Sequence, residues 1–412
     1  MATPHADFKS KQFLRDHILH TMSFYEGRCL DDSGGFFHFF KDDGIVYDRA
    51  TRHLVSSARF VFNHAMAFRH FGRPQWQAAA RHGLEFLRSV HRDPIAGGYA
   101  WLLKWDGTRS QVIDATNHCY GLAFVLFAHA HALMAGVSDA RAGLEETFAL
   151  MERHFWEPQH GLYADEATEQ WLVLPYRGQN ANMHACEALL AAYEATREPQ
   201  YLERAETLAI SVTQRLAAHG AGLIWEHYLQ DWQPDWNYNR NDRSNIFRPW
   251  GFQSGHLTEW AKLLLILERH RAASWLVPRA RELFDAAVSH AWDAEHGGLV
   301  YGFAPRRFES PDRELVVCDA QKYFWVQAES LAAAALLALR TGDPTYADWY
   351  ERLWAYAWEH FVDHQHGAWY RILGPENAKL TDKKSPAGKT DYHTMGACYD
   401  VLAALDRAGF QR

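Results

Sequence analysis

DAEHGGLVYGF, residues 293–303, begins acidic and polar, passes through glycine and ends β-branched and aromatic. The first half is turn chemistry and the second suits a short extended segment. The phrase recurs as DDSGGFFHF (31–39), DPIAGGYAW (93–101), EPQHGLYAD (157–165), GAGLIWEHY (220–228) and DHQHGAWYR (363–371). The interval, roughly 60 to 75 residues, is longer than a solenoid repeat but regular enough to be an internal period.

Between the phrases the apolar residues follow helical spacing, as at Leu331, Ala334, Ala335, Ala338 and Leu339. An opening helix is predicted over 11–25. Pairs follow at 55–71 and 75–90, 116–134 and 139–155, 181–195 and 199–217, 252–270 and 273–290, and 323–340 and 345–361, with a last helix at 394–408. Six pairs in a closed ring make an all-α fold, an (α/α)6 barrel of six inner and six outer helices with short β-hairpin-like connections. No Pro/Gly/Ser-rich linker or shift in composition divides the chain, so residues 1–412 are read as one catalytic domain. Long loops at 229–249 and 374–390 have the length of functional lids.

The formal charge of -8 argues against nucleic acid or an anionic membrane as partner. No apolar run approaches the ~20 residues of a membrane helix. Five scattered cysteines without a CxxC pair read as reduced thiols in a cytoplasmic protein. The 17 Trp and 18 Tyr are core in part, and are also suited to part-apolar binding surfaces.

Polar residues gather at the starts of the predicted inner helices. They are Arg59; Asp114, His118 and Tyr120; Asn180, His184 and Glu187; His256, Glu259 and Trp260; Lys322, Trp325, Gln327 and Glu329; and His393. Buried charge is costly unless paired or used, so six helices bringing such groups to one end of a ring point to a site. In RPWGFQSGHLTEW (248–260), His256 and Glu259 stand three apart on one helix face near its open end, a pairing suited to proton transfer near neutral pH. His160, His296 and His366, within the glycine phrases, read as turn-stabilising. His184, His256, His393 and Glu259 are metal-ligand types, but no HExxH or short-spaced His pair is present, and no metal or other cofactor is expected. Asp114, Glu187, Glu259 and Glu329 supply carboxylates from which a glycoside hydrolase pair could be drawn.

SARFVFNHA around Arg59, NANMHACEALL around His184, RPWGFQSGHLTEWAKL around His256, KYFWVQAES around Glu329 and DYHTMGACYD around His393 together resemble the N-acylglucosamine 2-epimerase superfamily over nearly the whole chain. The resemblance implies the barrel and metal-free proton transfer on a reducing sugar. It implies that His256 and His393 are the catalytic acid/base pair. Arg59, Asn180, His184, Glu259, Trp325 and Glu329 would hold the sugar or support the pair, with Arg248 and Lys322 as weaker carry-overs. Asp114 and Tyr120 join the substrate-binding set by position. The disaccharide-specific branch carries a tryptophan shortly before the last histidine, where this chain reads GKTDYH with Gly388, Lys389 and Asp391. That departure favours a monosaccharide: D-mannose and D-fructose, with D-lyxose a further candidate, interconverted through a cis-enediol. A sugar 2-epimerase, differing only in where the proton returns, is the alternative reading, and self-association is left open.

Overall fold

The computed structural model describes residues 6–242, 247–306 and 314–410. Twelve α-helices lie among them: α1 Lys11–Tyr25, α2 Leu54–Phe71, α3 Pro74–Phe86, α4 Cys119–Met134, α5 Ala140–His154, α6 Gln179–Thr196, α7 Pro199–Ile210, α8 Ser254–Glu268, α9 Leu276–Ala291, α10 Phe324–Thr341, α11 Pro344–His360 and α12 Tyr392–Phe410. Short π-helical turns, Leu87–His91 and Ser211–Leu216, continue α3 and α7.

The two kinds of helix differ in how much of their surface is apolar. α4 is buried on every side from Gly121 to Ala132, as a helix enclosed by protein must be. α9 buries one stripe, Leu276, Ala280, Leu283, Phe284, Ala287, Val288 and Ala291, the spacing of a helix with one face on a core. The even-numbered helices pack in a cycle, α2 on α4, then α6, α8, α10 and α12, which returns to α2. Each odd-numbered helix from α3 to α11 packs on the even helix before it, and α1 packs on α12.

Local chemistry explains the reversals. Gly72, Arg197 and Gly342 end α2, α6 and α10 in the left-handed conformation, with φ of 71°, 63° and 73°. Two residues later Pro74, Pro199 and Pro344 open the next helix. Left-handed caps release the chain, and proline is tolerated at a first helical position because that N–H needs no intrahelical partner.

The glycine phrases are tight loops closed by bridges such as Arg92–Tyr99, Trp292–Leu299 and Val362–Trp369. In three of them an aspartate, Asp93, Asp293 or Asp363, accepts hydrogen bonds from the backbone N–H groups two and three residues on, the side-chain turn typical of Asp. A polar residue at or just before the next inner helix then clamps the loop: Asn117 accepts from Tyr99 N–H, Asn182 from Tyr163, Gln327 from Leu299 and Asp391 from Trp369. The loops thus orient the starts of the inner helices. Short strands precede five of these starts, at Thr51–His53, Asn117–His118, Arg177–Gly178, Phe252–Gln253 and Lys322–Tyr323, within small two- and three-stranded antiparallel sheets. None of the five cysteines is disulfide-bonded, and no described helix is long and apolar enough to cross a membrane.

Candidate active site

The starts of α2, α4, α6, α8, α10 and α12 surround an open cavity. Arg59, Tyr120, Asn180, His184, His256, Glu259, Trp325 and His393 line it, one or two from each inner helix. Tyr301, Tyr323, Arg371 and the stretch Pro386–Lys389 complete the wall.

His256 and His393 each lie against the Trp325 indole, with ring centroids 5.0 and 5.7 Å away. Gly255 explains the first approach, since a Cβ there would stand 2.4 Å from Trp325. Each imidazole is held at Nδ1 by a buried carboxylate: His256 by Glu226 at 2.9 Å and His393 by Glu329 at 2.6 Å. A carboxylate at Nδ1 makes that nitrogen the donor and leaves the Nε2 lone pair for chemistry. Among the described residues neither Nε2 has a hydrogen-bond partner.

The surroundings of the two pairs differ. Glu226 also accepts from Gln179 Nε2 at 2.9 Å, and the Trp260 indole N–H fixes that amide by donating to Gln179 Oε1 at 2.8 Å. Glu329 instead faces Lys262 Nζ at 2.6 Å. Burial, reinforced by Arg59, His184 and Lys262, holds the His393 imidazole well below the usual histidine range. His184 is lowered to about 4, mainly by burial, although its Nδ1 donates to Glu187 at 3.1 Å. Glu259 is fully buried and neither carboxyl oxygen has a hydrogen-bond partner. Burial and the neighbouring Glu329 push it well above the ordinary carboxylate range. Arg59 donates to Gly388 O at 2.5 Å and Tyr120 Oη at 3.1 Å while its guanidinium lies over Phe124 and Tyr392. Its Nε and Asn180 Oδ1 are buried without partners.

Two groups of ligand types converge here, His184, Glu187 and Glu259, and Glu259, Glu329 and His393, each with donor atoms within 4.8 Å. The Lys262 ammonium, 2.6 Å from Glu329 and 3.8 Å from Glu187, already supplies a cation to these carboxylates.

A family model described as N-acylglucosamine 2-epimerase (GlcNAc 2-epimerase) matches residues 35–397. The chain belongs to that family. It is 54% identical over 400 residues to a D-mannose isomerase of Marinomonas mediterranea, covering 97% of this chain and 98% of that protein. A D-mannose isomerase of Thermobifida fusca is 38% identical over 76% of this chain and 75% of its own. A crystal structure of D-mannose isomerase superposes with a TM-score of 0.92 at 54% identity, covering 97% of this chain and 99% of that one. Like these relatives, the chain is an enzyme of the isomerase class.

Of the residues singled out from sequence, Glu329 lies behind His393 rather than in the cavity wall. Asp114, His118 and Arg248 line a neighbouring cavity that shares Tyr120 and Asn180 with the first. There Arg248 pairs with Glu166 at 2.6 Å and stacks over Tyr176 at 3.8 Å, and Asp114 accepts from Thr116 N–H. Lys322 is outside both cavities. Its ammonium donates to Asp293, Pro375 O and Asn377 at 2.8–2.9 Å, beneath a glycine-phrase loop. The cause is strand alternation: on Lys322–Tyr323, successive side chains face opposite ways, and Tyr323 has the cavity side.

Sequence reading missed Glu226, Gln179, Lys262, Tyr301 and Arg371. A signal existed for three of them. The fourth residue after the first glycine of each pair, or the phrase's later glycine, is His38, Trp101, Asp165, Glu226, Tyr301 or Arg371. Tyr301 and Arg371 line the main cavity, Trp101 and Asp165 line its neighbour, and Glu226 holds His256.

Proposed function

We propose that the chain is an aldose–ketose isomerase that interconverts D-mannose and D-fructose, and accepts D-lyxose, by histidine acid/base transfer through a cis-enediol, without a metal or other cofactor. The cycle of inner helices is read as an (α/α)6 barrel formed by residues 1–412 as one domain. The observation that carries the reading is the pair His256 on α8 and His393 on α12, both against one indole in one cavity with Nδ1 anchored.

The C2 proton of an aldose becomes removable once the ring is open and the C1 carbonyl is polarised. A neutral imidazole at His393 is a base for that proton. Arg59, the one arginine that α2 brings to the wall, stabilises the charge that develops on the enediolate. The Glu259 carboxyl and Asn180 Oδ1 offer hydrogen-bonding partners to sugar hydroxyls, and Trp325 offers an apolar face to the sugar carbons. Delivering the proton to C1 gives the ketose; delivering it to the other face of C2 would give an epimer. Pro386, Ala387 and Gly388 close the wall where a stacking tryptophan is absent, and Gly388 is pinned by Arg59 and by Ser56. This supports a single sugar ring. A glycoside hydrolase is less well supported, because of Asp114, Glu187, Glu259 and Glu329 only Glu259 lines the cavity. The five unbridged thiols suit a cytoplasmic setting.

Incubation with mannose, fructose, lyxose, glucose and cellobiose in deuterated water tests the reading. Mannose and fructose should interconvert with solvent deuterium entering the product. Glucose as the main product of mannose would make the chain an epimerase, and new reducing ends from an oligosaccharide would make it a hydrolase. Turnover should survive dialysis against EDTA; loss restored by one divalent metal would replace the metal-free route with a metal-assisted one.

A further inference from the structure

One to three helical turns further along the same six inner helices lies a second cavity. Glu187, Lys262, Glu329 and Tyr392 line it and form the partition between it and the site. Lys262 has no role in the reaction as described. It is 3% exposed, and an ammonium so buried persists only where carboxylates surround it. Glu329 from α10 lies at 2.6 Å, and Glu187 from α6 and Asp400 from α12 both at 3.8 Å. Arg269, Glu194 and His131 face the same cavity.

Each of the first two carboxylates holds a histidine of the site. Glu329 accepts from His393 Nδ1, and Glu187 accepts from His184 Nδ1 and from the Tyr392 hydroxyl. We propose that Lys262 is the positioning residue for His393 and His184, a single cation that clamps both of their carboxylates from the rear cavity. The inference rests on the proposed isomerase reading and deepens it. Removing the ammonium leaves Glu329 and Glu187 without the cation they share, with Arg269 still beside Asp400, and Glu329 then takes up a proton. A protonated Glu329 donates to Nδ1 of His393 instead of accepting from it. The ring changes tautomer, and an Nε2–H, which is no base, faces the sugar.

The test compares Lys262→Ala, Lys262→Arg, His393→Asn and wild type. Lys262→Ala should lose about 10–100-fold in kcat, the scale of a residue that orients a reacting group, with KM for mannose little changed. Lys262→Arg should recover most of the loss. Methylammonium or ethylammonium, entering by the rear cavity, should raise turnover of Lys262→Ala and leave wild type and His393→Asn unaffected. A raised KM with unchanged kcat, or a loss restored by neither arginine nor amine, overturns the inference. Should Lys262→Ala not fold, ¹⁵N shifts of His393 in wild type decide: an Nδ1–H tautomer at pH 7 supports it and an Nε2–H tautomer overturns it. If His393→Asn keeps full turnover, the isomerase reading itself fails. If His393→Asn is dead and Lys262→Ala is normal, only this inference does.

Discussion

The His256 and His393 pairs share a design at the ring and differ one layer back. Both imidazoles have Nδ1 on a carboxylate. Beside Glu226 stands a neutral amide, Gln179, held by Trp260 and also 3.1 Å from His256 Nδ1; behind Glu329 stands an ammonium, Lys262. Glu329 is already engaged by lysine, and the ring it holds, which also feels Arg59 and His184, is kept well below the usual histidine range mainly by burial. On the isomerase reading we propose, His393 is therefore assigned as the base at C2, with His256 as the other member of the acid/base pair. The lesson is that the second layer, more than the identity of the residue, divides acid from base.

The sharpest way to break the comparison is to delete each ring. His393→Asn and His256→Asn should each lower kcat by at least ~10²-fold, with an unchanged far-UV CD spectrum. They should differ in exchange: His393→Asn stops incorporation of deuterium at C2 altogether, whereas His256→Asn retains slow exchange if substrate is supplied as the open chain. Near-full turnover in either variant removes it from the pair.

Deleting the carboxylates tests the second layer through stability. Glu329→Gln leaves Lys262 buried with its nearest anion gone, and should cost about 3–5 kcal/mol in denaturant unfolding. Glu226→Gln leaves no buried cation and should cost less, about 1–3 kcal/mol. Equal losses would mean that Lys262 does not distinguish the two sides.

The same contrast shows what was readable in the chain beforehand. Helical periodicity placed α1 at 11–25 and α2 within one residue of its start, because a long apolar pattern survives small errors. It ran α4 too early, at 116, because Asn117–His118 form a strand paired with Glu166–Ala167, a partner too distant for any local pattern to reveal. His256 and His393 were visible as polar residues at inner-helix starts. Glu226 was hidden because its phrase reads as turn chemistry, and its function depends on where a loop delivers it. Lys262 was hidden because it sits in a leucine-rich stretch of α8 and its partners come from α6, α10 and α12. Charge networks assembled from four helices leave no spacing in sequence.

pH separates folding from catalysis. His17, His53 and His131 are lowered to about 3, and His64, His91, His129 and His184 to about 4, burial being the main cause in each. Unfolded, each would take up a proton near pH ~6.5. Their folded values are depressed, so the unfolded chain binds more protons below that point. The stability is complete above about pH 6.5 and is lost as pH falls toward the folded values, at up to about 1.4 kcal/mol per unit per histidine. The Tm should fall steeply between pH 6.5 and 5. His393 is depressed as well, so turnover of the folded enzyme at 25 °C should stay level below pH 6.5 while Tm is already dropping. An acid limb in kcat above pH 6.5 would show that His393 is not the neutral base.

The smallest effect is expected at another of the buried lysines. Lys322, like Lys262, is buried and ion-paired, and it stands one residue before Tyr323 of the cavity wall. Its three partners belong to a turn and to the loop after α11, and none of them is hydrogen-bonded to His184, His256 or His393. Lys322→Met should therefore leave kcat and KM within about 2-fold and lower stability by about 1–3 kcal/mol, the scale of buried hydrogen-bonding groups left unmatched. Two lysines of equal burial would then differ in kinetics by about 10-fold or more, for the sole reason that one backs the carboxylate of a reacting histidine. A 10-fold loss of kcat in folded Lys322→Met would show that burial of an ion pair near the mouth is enough to disturb the reaction, and the special place given to the layer behind His393 would be lost.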